Sequence, residues 1–177
     1  MRWRGGTGDG ATGRGVMGLF LSTYVNKVDK KGRVSIPAPF RATLAAGQAG
    51  TVGMVIFPSL QAQALEAAPY SYLEKLAEAL ENPNVPDEDR DLIDTAVFGR
   101  SVQLALDPEG RVILPEHLLT YAGITENISF VGTRNTFHLW DPVLFEQHDK
   151  AKREIARANN ISLSTILAKA KSLAKGA

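Results

Sequence analysis

The chain has 177 residues, 44% hydrophobic and 22% charged, with no cysteine. That length can bury the core of one domain or two small ones, and the missing thiols exclude a disulfide framework, a zinc ribbon and a cysteine nucleophile. The net charge of +1 sums unlike parts: residues 1–43 hold eight Lys or Arg against two Asp or Glu, residues 44–149 five against sixteen, and residues 150–177 seven against one.

Basic ends around an acidic middle hint at a polyanionic partner. Solvated helix faces that segregate by charge would give the same pattern. No apolar run approaches the roughly 20 residues that span a bilayer. Val16 to Leu21 is too short for a secretory signal. A cytosolic protein is expected.

Residues 1–16 read MRWRGGTGDGATGRGV, with six glycines among the eleven residues from Gly5 to Gly15. Such a segment buries too little surface to offset its ordering entropy, so a disordered extension is expected. Gly8, Gly10 and Gly13 fit G-x-G-x-x-G. No strand pattern precedes them and no helical pattern opens on them, so the match is treated as chance. Met17 is expected to open the folded part.

The dominant feature is an internal repeat. Residues 29–37 read DKKGRVSIP and residues 107–115 read DPEGRVILP, 78 positions apart. An alternating segment precedes each copy, at Thr23 to Val28 and Ser101 to Leu106. A short helix-like stretch ending in Ala-Gly follows each, at Ala38 to Gly47 and Glu116 to Gly123. Strand-like runs come next, Val52 to Phe57 and Ile128 to Val131, and the second copy adds Thr136 to Trp140.

Chemistry gives the motif a shape. The carboxylates of Asp29 and Asp107 accept hydrogen bonds from N–H groups further on and open a tight turn. Gly32 and Gly110 supply the positive φ that a hairpin with a bulge needs. Arg33 and Arg111 then begin a strand beside an exposed loop tip. Pro37 and Pro115 end that strand and suit the first turn of a helix. Two copies in register predict two half-domains related by pseudo-symmetry.

The remaining segments read as helices. Tyr70 to Leu80 places Leu73, Leu76, Ala77 and Leu80 on one side. Asn82 to Pro86 breaks the chain, and Asp87 is expected to cap an acidic helix to about Phe98, with Leu92, Ile93, Ala96 and Val97 inward. Asp141 caps another helix, with Pro142 in its first turn, reaching about Ala158. Ile161 to Ala174 carries an apolar stripe from Leu163 to Leu173, with Lys169, Lys171 and Lys175 elsewhere. That stripe either folds back on the core or meets a neighbouring subunit.

DKKGRVSIP and DPEGRVILP form a duplicated D-x-x-x-R pattern that resembles the MraZ family of bacterial transcriptional regulators. Phe137-His138-Leu139-Trp140-Asp141 and Tyr121-Ala122-Gly123 followed by Ile124 fit that family too. The resemblance covers residues 17 to about 158. It implies an α+β fold of two pseudo-symmetric AbrB-like swapped-hairpin half-domains around one β-barrel-like core with flanking helices. The corresponding divisions are a 1–16 extension, half-domains at 17–95 and 96–158, and a basic C-terminal helix at 159–177.

The resemblance further implies a homo-oligomeric ring in the cytoplasm, associated with the nucleoid. The ring binds short direct repeats in the promoter DNA upstream of its own gene, which heads a division and cell-wall cluster, and it represses or tunes transcription there. Arg33 and Arg111 are the implied DNA contacts, with Asp29 and Asp107 holding the loops. Residues 1–16 lie outside the family pattern. Glu109 stands where the first loop has Lys31, and Leu119 stands where the family commonly has arginine.

If the first hairpin enters the major groove, Lys30 and Lys31 meet phosphates and Arg33 reaches a guanine edge. The plainer alternative has each arginine pair with its own motif aspartate and stiffen the hairpin. An enzyme is not expected: His117, His138 and His148 lack metal-ligand spacing, and no phosphate loop or nucleophile motif is present. No cofactor, membrane or small-molecule substrate is expected. The other functional reading is a ring-forming scaffold that binds protein without reading DNA.

Overall fold

The computed structural model describes residues 18–174 apart from 47 and 49. The glycine-rich extension, Met17 and Lys175 lie outside the described residues.

Each copy of the repeat builds the same succession of elements. The first gives β1 (Thr23–Lys27), β2 (Arg33–Ser35), α1 (Ala38–Ala45), β3 (Gly53–Pro58) and β4 (Leu65–Ala68). Two helices follow, α2 (Tyr70–Leu80) and α3 (Asp87–Ala96), then a 3-10 turn at Phe98–Arg100. The second copy gives β5 (Val102–Ala105), β6 (Arg111–Ile113), α4 (Glu116–Ala122), β7 (Asn127–Gly132) and β8 (Phe137–Trp140). The chain ends in α5 (Pro142–Ala158) and α6 (Leu163–Ala174).

Six strands form one antiparallel sheet in the order β1-β7-β8-β4-β3-β5. Exchanging the copies reverses this order and leaves it unchanged. β1 abandons its own copy and pairs with β7, with Tyr24 opposite Phe130, while β5 pairs with β3, with Met54 opposite Leu104. The copies meet again at β4 and β8, where Leu65 faces Leu139. The remaining strands, β2 and β6, pair only with each other.

The expected barrel-like core is therefore corrected: the sheet is open among the described residues, with β1 and β5 at its edges. The physical reason lies in the motif turns. They divert the chain out of the sheet after β1 and β5, so β2 and β6 form a separate ribbon instead of closing the edges.

The core beneath the ribbon is shared. Phe40 and its repeat counterpart Leu118 are buried in one cluster with Phe20, Phe130 and Phe137. The ring of Phe40 meets Phe20 edge-on at 5.3 Å and Phe137 at 4.9 Å, spacings at which aromatic pairs attract. On the other face, Leu73 of α2 and Val97, the residue that closes α3, cover Val55 and Phe57 of β3. Burial on both faces explains why β3 reads as a continuous apolar run.

Some local expectations change. The first copy also has a fourth strand, β4, so Thr136 to Trp140 is no addition of the second copy. Asp87 is the first residue of α3, whose N-cap is Pro86, and its carboxylate pairs with Arg90 at 2.6 Å. Leu92 is exposed, because the inward stripe of α3 runs through Ile93 and Val97, about 100° round the helix from it. Asp141 does cap α5, accepting from the N–H groups of Val143 and Leu144. The stripe of α6 does not fold back on the core: no residue of α6 is buried, and Leu163 is 86% exposed.

Candidate nucleic-acid interface

The two motif turns are built alike, atom for atom. Asp29 Oδ1 accepts from the N–H groups of Lys31 at 2.8 Å and Arg33 at 2.9 Å, and its Oδ2 accepts from Arg33 Nε at 2.8 Å. Asp107 does the same with Glu109 at 3.1 Å, Arg111 N–H at 2.8 Å and Arg111 Nε at 2.8 Å. Gly32 and Gly110 take φ of +78° and +76°, the left-handed region that side chains resist. Each glycine carbonyl then accepts from the opposite copy: Leu114 N–H reaches Gly32 O at 2.9 Å and Ile36 N–H reaches Gly110 O at 3.0 Å.

These bonds set the electrostatics. The backbone N–H and guanidinium of Arg33 hold Asp29 well below the usual carboxylate range, at about 2. Arg111 lowers Asp107 in the same way, first through its backbone N–H. In return the Asp107 carboxylate raises Arg111. Both arginines therefore do stiffen their own hairpins, through Nε.

Their outer nitrogens differ. Among the described residues, the Nη groups of Arg33 have no hydrogen-bond partner, whereas Arg111 Nη2 donates to Glu109 Oε2 at 3.0 Å. Lys30 and Lys31 are exposed and make no ion pair among the described residues. The first loop thus presents a free guanidinium fork and two ammonium groups, and the second presents an arginine already matched by a carboxylate.

The ribbon places both arginines on one side. Arg33 lies opposite Ile113, Val34 opposite Val112 and Ser35 opposite Arg111. Val34 and Val112 are buried at 2% and 3% exposure, so their strand neighbours face outward. A two-stranded ribbon is one of the shapes that the major groove of DNA admits.

Sequence reasoning left Arg41 out of the site. Arg41 Nη1 donates to Glu109 O at 3.2 Å, and the side chain lies against Gly110. It reaches from α1 of one copy to the loop of the other. Its repeat counterpart, Leu119, packs on the core instead. That mismatch within an otherwise regular repeat was the available signal.

His117 lies in α4, away from the other two, whereas His138 of β8 and His148 of α5 both approach the Trp140 ring, with centroids at 6.4 Å and 4.7 Å. Among the described residues, no cluster of three His, Asp or Glu is spaced to hold a metal, and no helix is long and apolar enough to cross a membrane.

Comparison with known proteins identifies relatives over most of the chain. The transcriptional regulator MraZ of Rickettsia akari (strain Hartford) is 44% identical over 147 residues, 83% of this chain and 97% of that protein. Its counterpart in Rickettsia africae (strain ESF-5) is 43% identical over the same shares, and that of Rickettsia bellii (strain OSU 85-389) is 39% identical over 148 residues. The family model for MraZ protein matches residues 97–164. A duplicated α+β fold with these relatives defines a transcriptional regulator and not an enzyme. The chain belongs to the MraZ family.

Proposed function

We propose that the chain binds double-stranded DNA in a sequence-specific way through the outer face of the β2–β6 ribbon and its two loops. The observation that carries this is the Arg33 fork: Nε is tied to Asp29 at 2.8 Å while neither Nη group has a partner among the described residues. A pre-aimed guanidinium suits bidentate bonding to guanine, which is worth about 1–3 kcal/mol of discrimination. Lys30 and Lys31 beside it neutralise phosphates and add affinity without sequence information. Arg111 contributes less, because Glu109 occupies one of its nitrogens. Asp29, Gly32, Asp107 and Gly110 set the shape of the loops.

In this reading the strand exchange is the swapped-hairpin arrangement of two AbrB-like half-domains, 17–95 and 96–158, followed by a C-terminal helix at 159–177. The reciprocal pairing of β1 with β7 and β5 with β3 supports it. The protein acts in the cytoplasm, associated with the nucleoid, as a ring of copies. It represses transcription from short direct repeats upstream of its own gene, at the head of a division and cell-wall cluster. One ribbon spans few base pairs, and linking several raises avidity by roughly 10²–10⁴ without new contacts.

A second reading, a ring-forming protein scaffold, draws on the exposed stripe of α6. Footprinting on the DNA upstream of the gene separates the two. A protected array of short direct repeats supports the regulator, and no protection at moderate salt supports the scaffold.

A further inference from the structure

The outer face of the ribbon carries four side chains: Arg33 and Ser35 from β2, Arg111 and Ile113 from β6. The repeat makes Arg33 equivalent to Arg111, and Ser35 equivalent to Ile113. One diagonal of the face is therefore the same residue twice, and the other is a hydroxyl opposed to an isobutyl-sized hydrocarbon. As residue types, two arginines related by a pseudo-twofold axis give a duplex no direction of their own, although Glu109 occupies one nitrogen of Arg111. Only unlike groups can tell one direction from the other.

Ile113 is 60% exposed, directly across the ladder from Arg33. Its position is rigid. Val112 beside it is buried, and the next residue, Leu114, is bonded through its N–H to Gly32 O at 2.9 Å. A fixed, branched hydrocarbon next to a guanidinium fork matches one feature of the major groove. Thymine presents a 5-methyl group there, the only methyl group among the base edges, while guanine presents the acceptors that suit arginine. Cross-strand neighbours sit about 5 Å apart and base pairs about 3.4 Å apart, so Arg33 and Ile113 reach neighbouring base pairs.

We propose that Ile113 is a specificity-determining residue, packing on the 5-methyl group of a thymine beside the base pair that Arg33 reads. Standing where the other copy has Ser35, it also gives the protein a direction on the duplex. This rests on the ribbon being the DNA-reading element.

The test uses the full chain and duplexes that it enriches from a random library. Each thymine of an enriched duplex is replaced singly by deoxyuridine, which lacks only the methyl group, and binding is followed by fluorescence anisotropy. The wild-type protein is expected to lose about threefold to tenfold in affinity at one thymine. Ile113→Ser is expected to bind the thymine and deoxyuridine duplexes equally, and the exchanged pair S35I/I113S to move the sensitive thymine to the other side of the site. Equal wild-type binding to every deoxyuridine duplex overturns the proposal, as does Ile113→Ser keeping the sensitivity. If no duplex is enriched, or Arg33→Ala binds as the wild type does, the reading of the ribbon itself fails and takes this proposal with it.

Discussion

Val34 stands directly across the ribbon from Val112, the residue that repeats it 78 positions later. A ladder centred on a residue and its own repeat puts the pseudo-twofold axis between them. Everything outward of that pair is duplicated unless the sequence departs from the repeat. Departures such as Lys30 against Pro108, Lys31 against Glu109, Arg41 against Leu119 and Ser35 against Ile113 are therefore where the two loops differ chemically.

Arg33→Ala removes the free fork. Promoter DNA affinity is expected to fall about tenfold or more, and Arg111→Ala to cost less. Anisotropy titration against salt checks this. Unchanged affinity and an unchanged salt slope for Arg33→Ala would sink the proposed role.

Glu109→Gln replaces the ion pair on Arg111 Nη2 by at most a neutral hydrogen bond and removes a negative charge from the second loop. DNA affinity is expected to rise, and the plot of log affinity against log salt to steepen by about 1. The same titrations measure both.

The two motif glycines are expected to differ in stability cost. A Cβ on Gly32 would sit 2.5 Å from Leu114 O, a backbone atom, whereas one on Gly110 would first meet the Arg41 side chain, which can swing away. Both positions have positive φ. Gly32→Ala is expected to cost about 2–3 kcal/mol and Gly110→Ala about 1–2 kcal/mol by urea denaturation.

Asp29 links stability to pH. Its carboxyl is lowered from 3.8 to about 2 in the folded chain, so the stabilisation is fully present above about 3.8 and is lost as the pH falls towards 2. Asp29→Asn is expected to lie below the wild type in melting temperature at neutral pH and to converge on it in this acid window. Thermal melts at stepped pH follow the difference.

Ending the chain after Asn160 removes α6, which buries nothing. The melting temperature of the remainder is expected to change by no more than about 2 °C, since surface changes seldom exceed about 0.5 kcal/mol. If α6 joins copies in the proposed ring, light scattering will record a smaller assembly. An unchanged mass would remove α6 from that role.

Much of this was legible in the residues. D-x-x-G-R predicts a carboxylate-locked turn because aspartate, glycine and arginine each do one local job there, and local jobs survive the loss of context. The span of α2 follows from its 3.6-residue periodicity in the same way. β4 was not legible: Leu65-Glu66-Ala67-Ala68 favours a helix by propensity, and it is extended because β3 and β8 hydrogen-bond to it on both sides. The partnership of Arg41 with the second loop spans 68 residues, and the open sheet depends on which strands find each other. Neither is written in any short stretch.

The exchange of β1 and β5 also governs how the molecule is made. When residues 1–96 have left the ribosome, β1 still lacks β7, and β3 lacks β5. The first half emerges with those two strand edges and the β8 side of β4 unmatched, and β2 has no ribbon partner. Its folding is completed only when residues 127–140 arrive to take up β1 and β4. Synthesis and folding are thus coupled across nearly the whole length of the chain, and a message cut short in the second repeat yields a first half with exposed edges, a species prone to aggregate.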